Sequence, residues 1–502
     1  MSGPVDHVAL QALLRPDKLA AVDLAQGRRW TYAALHRAVS HWARALVTDF
    51  GCGVGDRVAC LSRNRVEVVI LHLACARAGL IFVPLNWRLA TDELKALIAD
   101  CRPALVFGGA ELAAHGLAGL DLDGHDWQPT EAVAATGPAL DPQRPSLILY
   151  TSGTSGRPKG VVLSEANLGQ TAINFSLLGA VTPSSVFLID SPMFHVIGLV
   201  TSVRPPFMTG GTIVVSDGFQ PPRTLARMAD PALGVTHYFC VPQMAAALRR
   251  EPGFDPQGLR GLTALFTGGA PHPEQDIRAW LADGIPVVDG FGMSEAGTVF
   301  GMSLSLAQIE AKAGSVGVPT PAVQARIVRP DGGACDPGEP GELLLRGANV
   351  FAAYWERPEE TAAAFTPDGW FHTGDIAQVD ADGCYRIVDR KKDMFISGGE
   401  NVYPAEIEAV LAGLAGLAEC AVIGMPDAQW GEVGVCCYAP APGAALADAD
   451  LLAHLEGRIA RYKLPRRFLR LAGLPRTGSG KVLKGELRAL ARATHPDAPS
   501  PP

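Results

Sequence analysis

The segment Tyr150-Thr-Ser-Gly-Thr-Ser-Gly-Arg-Pro-Lys-Gly160 gathers four aliphatic hydroxyls, three glycines and one lysine into a short stretch. Glycines let a backbone approach an anion closely, and successive N–H groups with hydroxyls can cradle phosphate oxygens. Lys159 adds a compact positive charge. The segment is not a Walker A loop, because G-x-x-x-x-G-K-[ST] fits from neither Gly153 nor Gly156. Its surroundings differ as well. Ser146–Leu149 before it and Val161–Leu163 after it read as strands, which predicts strand–loop–strand where a Walker loop would open a helix. A solvated Gly/Ser turn is the bland alternative; the density of phosphate-binding groups favours a nucleotide.

Other segments carry chemistry of the same kind. Gly290-Phe-Gly-Met-Ser-Glu295 follows the expected strand Pro286–Asp289, at the rim where α/β sheets bind ligands. Ser294 and Glu295 there suit a phosphate and Mg²⁺, against the alternative that Glu295 caps a following helix. Gly292-Met-Ser-Glu-Ala296 is one residue from a G-x-S-x-G nucleophile elbow, but Ala296 replaces the second glycine and no Asp…His pair completes a triad. Thr267-Gly-Gly-Ala-Pro271 offers flat backbone after the strand Ala264–Phe266. Trp370-Phe-His-Thr-Gly-Asp375 presents a carboxylate suited to ribose hydroxyls, with Arg390 as a partner. Pro475-Arg-Thr-Gly-Ser-Gly-Lys-Val482 presents Lys481 on a glycine-rich loop, a placement suited to charge that develops only in a transition state.

The elements that position these residues alternate in period. Tyr32–Val39 reads as an amphipathic helix, Arg57–Leu61 as a strand, and Val66–Ala78 as a buried helix. Ile81–Leu85 is another strand, Thr91 is placed to cap a helix over 92–100, and Ala104–Phe107 closes the series. This predicts a doubly wound α/β layer, and the alternation resumes between Leu168 and Val288. From about Gly314 to Arg390 short strands divided by Gly, Pro and Asp predict a small barrel-like β subdomain. After Arg390 a compact α+β pattern follows: a helix at 405–414, a strand at 419–424 and a helix near 451–461. The division expected is a domain over 1–389 and a smaller one over 390–502, hinged in Asp389-Arg-Lys-Lys-Asp393. Residues 494–502 are Pro-rich and expected to be disordered.

Bulk properties narrow the class. The chain has 502 residues, 48% apolar and 19% charged, with a net charge of −8, which argues against a nucleic-acid surface. Its ten cysteines include no C-x-x-C, a pattern of reduced thiols rather than disulfides or zinc. The first residues lack the basic and apolar regions of a signal peptide. The apolar stretch Val68–Leu85, interrupted by His72 and Arg77, reads as core rather than a membrane span. A soluble, cytoplasmic protein is expected.

Taken in order and spacing, Tyr150–Gly160, Gly290–Glu295, Trp370–Asp375, Asp389–Pro404 and Pro475–Lys481 resemble the adenylate-forming superfamily of acyl-CoA synthetases, nonribosomal adenylation domains and firefly-luciferase-like enzymes, over roughly residues 20–490. The resemblance implies a large N-terminal domain of two doubly wound α/β layers with the β subdomain, and a small mobile α+β C-terminal domain. It implies joining of a carboxylate to ATP, giving acyl-AMP and pyrophosphate, then transfer of the acyl group to a thiol. By the same resemblance Thr151, Ser152, Gly153, Thr154, Ser155 and Lys159 grip the β- and γ-phosphates. Gly269, Ala270, Asp289, Gly290 and Phe291 frame adenine, the nucleotide set continues through Gly292 and Met293, and Ser294 lies near the α-phosphate. Glu295, with Thr151, serves Mg²⁺; Asp375 and Arg390 hold the ribose. Lys481 bridges the carboxylate and α-phosphate. Lys392 is the pivot of a C-terminal rotation that brings Ser397, Gly398 and Gly399 over a pantetheine tunnel, with Trp430 on the adenine of CoA and Arg88 at a CoA phosphate.

Within the superfamily, amino-acid-activating members usually carry an aspartate in the segment matching Pro192–Leu199, and none occurs here. No carrier domain follows Lys481 in this sequence. His195 matches the gate of acyl-CoA synthetases, although a lone histidine is more often a satisfied core residue. The expected acyl wall, Val196, Ile197, Leu199, Phe239, Gly268 and Met293, is apolar and predicts a fatty, alicyclic or aryl acid. Arg204 leaves open a malonate-type dicarboxylate, if it faces the pocket rather than lying at a helix end beside Pro205. A carrier-loading ligase is the competing enzyme, a degenerate nucleotide-binding scaffold the competing class, and a homodimer is left open.

Overall fold

The computed structural model describes residues 6–131, 141–151, 158–270, 272–397, 400–427, 430–459, 461–476 and 481–494. The chain divides into two compact units, the first made of 1–269, 278–324 and 345–371, the second of 270–277, 325–344 and 372–502.

The first unit holds two seven-stranded sheets. One runs Ala353–Tyr354, Lys159–Ser164, Pro145–Thr151, Ile81–Leu85, Arg57–Leu61, Leu105–Gly108, Leu120–Asp121. Pairing is parallel from Pro145–Thr151 onward and antiparallel at the Lys159 end. The largely apolar segment Val66–Ala78 is a helix, as expected, and stops at Gly79 in a left-handed conformation. Strands this apolar need cover on both faces, and Leu61, Val83, Ile148 and Val162 form part of the resulting core.

The other sheet runs Val287–Asp289, Ala264–Thr267, His237–Cys240, Val186–Ile189, Thr212–Val215, Leu19–Asp23, Arg28–Thr31, parallel except for its last pair. A three-stranded antiparallel sheet, Phe291–Met293, Gly297–Gly301 and Val318–Pro319, follows it in the chain. The helix expected over 92–100 spans Thr91–Cys101, but Thr91 does not cap it. Ala90 occupies that position, its N–H donates to Glu93 Oε2 at 2.8 Å, and the Thr91 hydroxyl meets His115 Nδ1 at 2.9 Å.

In the second unit the short-strand region forms a four-stranded sheet, Val323–Val328, Gly341–Gly347, Phe371–Val379 and Tyr385–Arg390, whose outermost residues at three strand ends belong to the first unit. The C-terminal α+β pattern is a five-stranded sheet centred on Gly431–Pro440. Alternate residues of Leu417–Asp427 face opposite ways. Val422 packs with Ile407 and Leu411, and Ala421 and Ile423 pack with Leu487 and Ala491. The helices here are shorter than expected, Pro404–Leu411 and Asp448–Leu455, and the strand is longer, Leu417–Asp427. Residues 495–502 of the expected tail lie outside the described residues. No helix among the described residues is long and apolar enough to cross a membrane. All ten cysteines are unpaired and seven are buried.

Candidate active site

In the first unit the phosphate-loop segment is held as the sequence predicts, between antiparallel strands, with Thr151 opposite Lys159. The Thr151 hydroxyl donates to Lys159 O at 3.4 Å. Ser152, Gly153, Thr154 and Ser155 lie outside the described residues.

Glu295 does not cap a helix. Residues 294–296 turn between the strands Phe291–Met293 and Gly297–Gly301, a hairpin. That also removes the nucleophile elbow, which needs strand–turn–helix. Gly297 makes the turn possible: its φ is +57°, and a Cβ there would fall 2.2 Å from the Thr171 hydroxyl. Asn349 Nδ2 donates to Ala296 O at 2.6 Å and Phe351 N to Glu295 O at 2.7 Å. Asn167 holds that segment in turn through Ala348 O and Val350 O. The Glu295 carboxylate accepts from the Tyr354 hydroxyl at 3.1 Å. A half-buried carboxylate with a hydroxyl beside it is an oxygen donor set that suits Mg²⁺. Neither Asn349 nor Tyr354 carried a motif signal; only their distant partners give them a role.

Asp289 ends its strand buried, accepting from the Thr267 hydroxyl at 2.9 Å. Burial pushes its carboxyl up from 3.8 to about 8, opposed by the Thr267 hydroxyl and the Gly290 N–H. The folded state thus holds a proton that the unfolded chain has released, so stability is full below pH 4 and falls as pH rises toward 8. The slope from one such group reaches ~1.4 kcal/mol per pH unit. Asp289→Asn removes it. Urea unfolding at pH 5 and pH 8 should show the wild type losing stability relative to the variant at the higher pH; a constant difference would refute the assignment.

Gly268, Gly269, Phe239 and Ile197 come together as one apolar corner. A Cβ on Gly268 would lie 3.5 Å from the Phe239 ring and 3.1 Å from Gly290 O, and one on Gly269 (φ +82°) 3.8 Å from Ile197 Cδ1. Phe175 stacks on Phe239 at 5.8 Å. His195, Val196 and Ile197 are half-buried at the entrance to a π-type turn, Ile197–Thr201, a device frequent at functional sites. Leu199 is fully buried, while Phe291, Gly292, Met293 and Ser294 are half-buried along the hairpin.

Arg204 is the first residue of the helix Arg204–Thr209 and is buried. It forms a bidentate pair with Glu165 at 2.8 and 3.0 Å and donates to His72 Nε2 at 2.8 Å. Arg88 lies 4.8 Å from the ring centre of Trp87 and 5.7 Å from that of Phe194, with Arg63 also on Trp87 at 4.4 Å.

The second unit holds the other expected residues. Asp375 and Arg390 face each other across antiparallel strands and are joined at 2.7 Å. The Thr373 hydroxyl donates to Leu343 O at 2.8 Å and accepts from Asp375 N at 3.0 Å, fixing that carboxylate's backbone. Lys392 is exposed in the turn that follows, where Asp393 N and Met394 N both donate to Arg390 O. Ser397 is buried and pairs with Gly431; Gly398 and Gly399 lie outside the described residues. The Arg466 guanidinium sits 4.3 Å over Trp430. Lys481 is exposed just before Val482, which bridges to Arg476; residues 477–480 lie outside the described residues. Ala270 also falls in this unit.

Residues 8–355 match the AMP-binding enzyme family and residues 406–481 its C-terminal domain. The chain belongs to the AMP-binding enzyme family. Among its AMP-binding relatives, a feruloyl-CoA synthase of an Amycolatopsis species is 39% identical, covering 92% of this chain and 94% of the relative. The indoleacetate–CoA ligase of Aromatoleum aromaticum is 38% identical, with 93% and 94% covered. The crystal structure of ATP-bound MatB from Rhodopseudomonas palustris superimposes with a TM-score of 0.87 at 31% identity, covering 97% of this chain and 99% of that one. This AMP-binding enzyme therefore stands among the acid–thiol ligases.

Proposed function

We propose that the protein is an AMP-forming acyl-CoA synthetase for a hydrophobic monocarboxylic acid, with an aryl-bearing acid favoured. A carboxylate oxygen attacks the α-phosphorus of ATP, forming the acyl–phosphate bond as the bond to pyrophosphate breaks. The thiol of CoA then attacks the acyl carbon, and AMP leaves with the bonding electrons. In this reading Thr151 and Lys159 receive the outer phosphates, the backbone at 269–270 and 289–291 frames adenine, and Asp375 with Arg390 takes the ribose. Glu295, with Thr151, would hold Mg²⁺, which when bound offsets the phosphate charge. Lys481 meets charge gathering at the α-phosphate. Lys392 is the pivot between the half-reactions, and Ser397 and Trp430 serve the CoA step.

The observation that carries the choice of acid is the apolar corner of Ile197, Phe239, Gly268 and Gly269. Arg204 supports it from the other side, since both arms of its guanidinium are engaged by Glu165 and His72, leaving it poorly suited to a second carboxylate of a malonate-type acid. The named substrates of the two relatives, feruloyl and indoleacetyl, are both aryl-bearing acyl groups.

The experiment is a panel of carboxylic acids scored for acid-dependent pyrophosphate release and then for AMP release on adding free CoA. Aryl and fatty monocarboxylates are expected to outrun malonate by at least tenfold, as one extra buried unpaired charge would dictate. Pyrophosphate release without any CoA-dependent AMP release would point to a carrier-loading ligase. No turnover with any acid, together with no ATP binding, would return the scaffold reading.

A further inference from the structure

Tyr354 touches both a cation and an anion of the nucleotide half of the site, Lys159 and Glu295. Its backbone is tied to both segments. The strand Ala353–Tyr354 pairs antiparallel with Lys159–Ser164, placing Tyr354 opposite Val161. Trp355 N donates to Gly160 O at 2.7 Å, while Phe351 N, three residues before Tyr354, donates to Glu295 O at 2.7 Å. The side chain repeats the pattern. Its hydroxyl donates to Glu295 Oε1 at 3.1 Å, and the Lys159 ammonium lies 5.0 Å from its ring centre. The ring plane is set by Phe351, 4.7 Å away and inclined by 60°.

A lysine and a glutamate within reach of one residue attract each other strongly at a half-buried site. If they paired directly, the carboxylate oxygen needed by a divalent cation and the ammonium needed by a phosphate would each be consumed. A phenol answers both charges separately, since its ring face attracts the ammonium and its hydroxyl donates to the carboxylate. A leucine would answer neither, and a phenylalanine only the cation.

We propose that Tyr354 is a positioning residue of the nucleotide–magnesium site, holding the Glu295 carboxylate and the Lys159 ammonium apart and aimed. This rests on the reading of Glu295 as the magnesium-serving carboxylate and Lys159 as a phosphate contact. Calorimetric binding of ATP to the full chain, titrated over Mg²⁺ concentration, tests it alongside thermal unfolding without nucleotide. Tyr354→Phe is expected to leave the unfolding temperature unchanged and to raise the half-saturating Mg²⁺ concentration about tenfold, the value of one hydrogen bond to a charged acceptor. Tyr354→Leu is expected to weaken metal-free ATP binding about threefold in addition. Glu295→Gln should raise the Mg²⁺ requirement at least as far as Tyr354→Phe, and the double variant should show less than the sum, because both act through one contact. If Glu295→Gln shifts the Mg²⁺ dependence and Tyr354→Phe does not, the positioning role is overturned while the reading of Glu295 stands. If Glu295→Gln leaves it unmoved, that reading fails and the proposal falls with it. A lowered unfolding temperature with unchanged Mg²⁺ dependence would mark Tyr354 as structural only and overturn the proposal.

Discussion

Replacing Lys481 by alanine is expected to slow acid-dependent pyrophosphate release about 10²–10³-fold, ~3–4 kcal/mol, while leaving thioester formation from supplied acyl-adenylate close to wild type. The magnitude is that of one preorganised donor aimed at charge appearing only in the transition state. The change should stay local. The helix that follows, Lys484–Thr494, is held independently by Lys484 on Glu408 at 2.9 Å and by Arg488 on Asp393 at 3.1 Å. Lys392→Pro is the complementary variant. Proline fixes φ at its own position and restricts the residue before it, in a turn whose backbone hydrogen bonds are donated by the N–H groups of Lys391, Asp393 and Met394. It should spare adenylation and impair transfer from supplied acyl-adenylate by a comparable factor. Paired assays of the two half-reactions decide the matter: if both variants lose the same half, Lys481 and Lys392 do not serve different steps.

Local structure is legible in the sequence where one physical cause dominates. The segment Val66–Ala78 is mostly apolar around the helix, which dictates a buried helix; the apolar strands on either side of 150–160 dictate an antiparallel pair flanking the hydroxyl-rich segment. Competing local causes displaced boundaries. Gly457, at φ +74°, lies just past the end of the last-but-one helix at Leu455, and Ala90, its N–H held by Glu93, occupies the cap position expected of Thr91. Long-range pairing left no local trace. The strand Leu19–Asp23 joins Thr212–Val215, about 190 residues on, while the strands that come next after its hairpin partner, Arg57–Leu61 and Ile81–Leu85, lie in the other seven-stranded sheet. Glu295 is a case of the same limit. Its residue type marked it as a site carboxylate, but the hairpin that presents it depends on Asn349 and Phe351, more than fifty residues later. Tyr354 was invisible for the same reason, as were the partners of Arg204.

Those partners make Arg204 an expensive side chain to remove. Glu165, at the start of the helix Glu165–Leu178, would be pushed up by burial alone; the Arg204 guanidinium, with help from the Ser146 hydroxyl at 2.6 Å, holds it down to about 2. His72 is kept neutral, lowered to about 3 by burial and by Arg204, so its Nε2 accepts from the guanidinium. Arg204→Met leaves a buried carboxylate without its cation and is expected to cost ~3–5 kcal/mol, whereas replacing the pair together costs much less because no charge is stranded. The pH dependence separates the two. In the wild type the depressed Glu165 contributes stability that is present above pH 4.5 and is lost as pH falls toward 2. In Arg204→Met the stranded carboxyl binds its proton more tightly folded than unfolded, so stability falls as pH rises instead. Urea unfolding at pH 5 and pH 8 should therefore show Arg204→Met weakening toward pH 8 relative to the Glu165→Leu, Arg204→Met double variant. Equal stability of the single and double variants at both values would show that the network holds no uncompensated charge when opened, and that Arg204 is free for another partner.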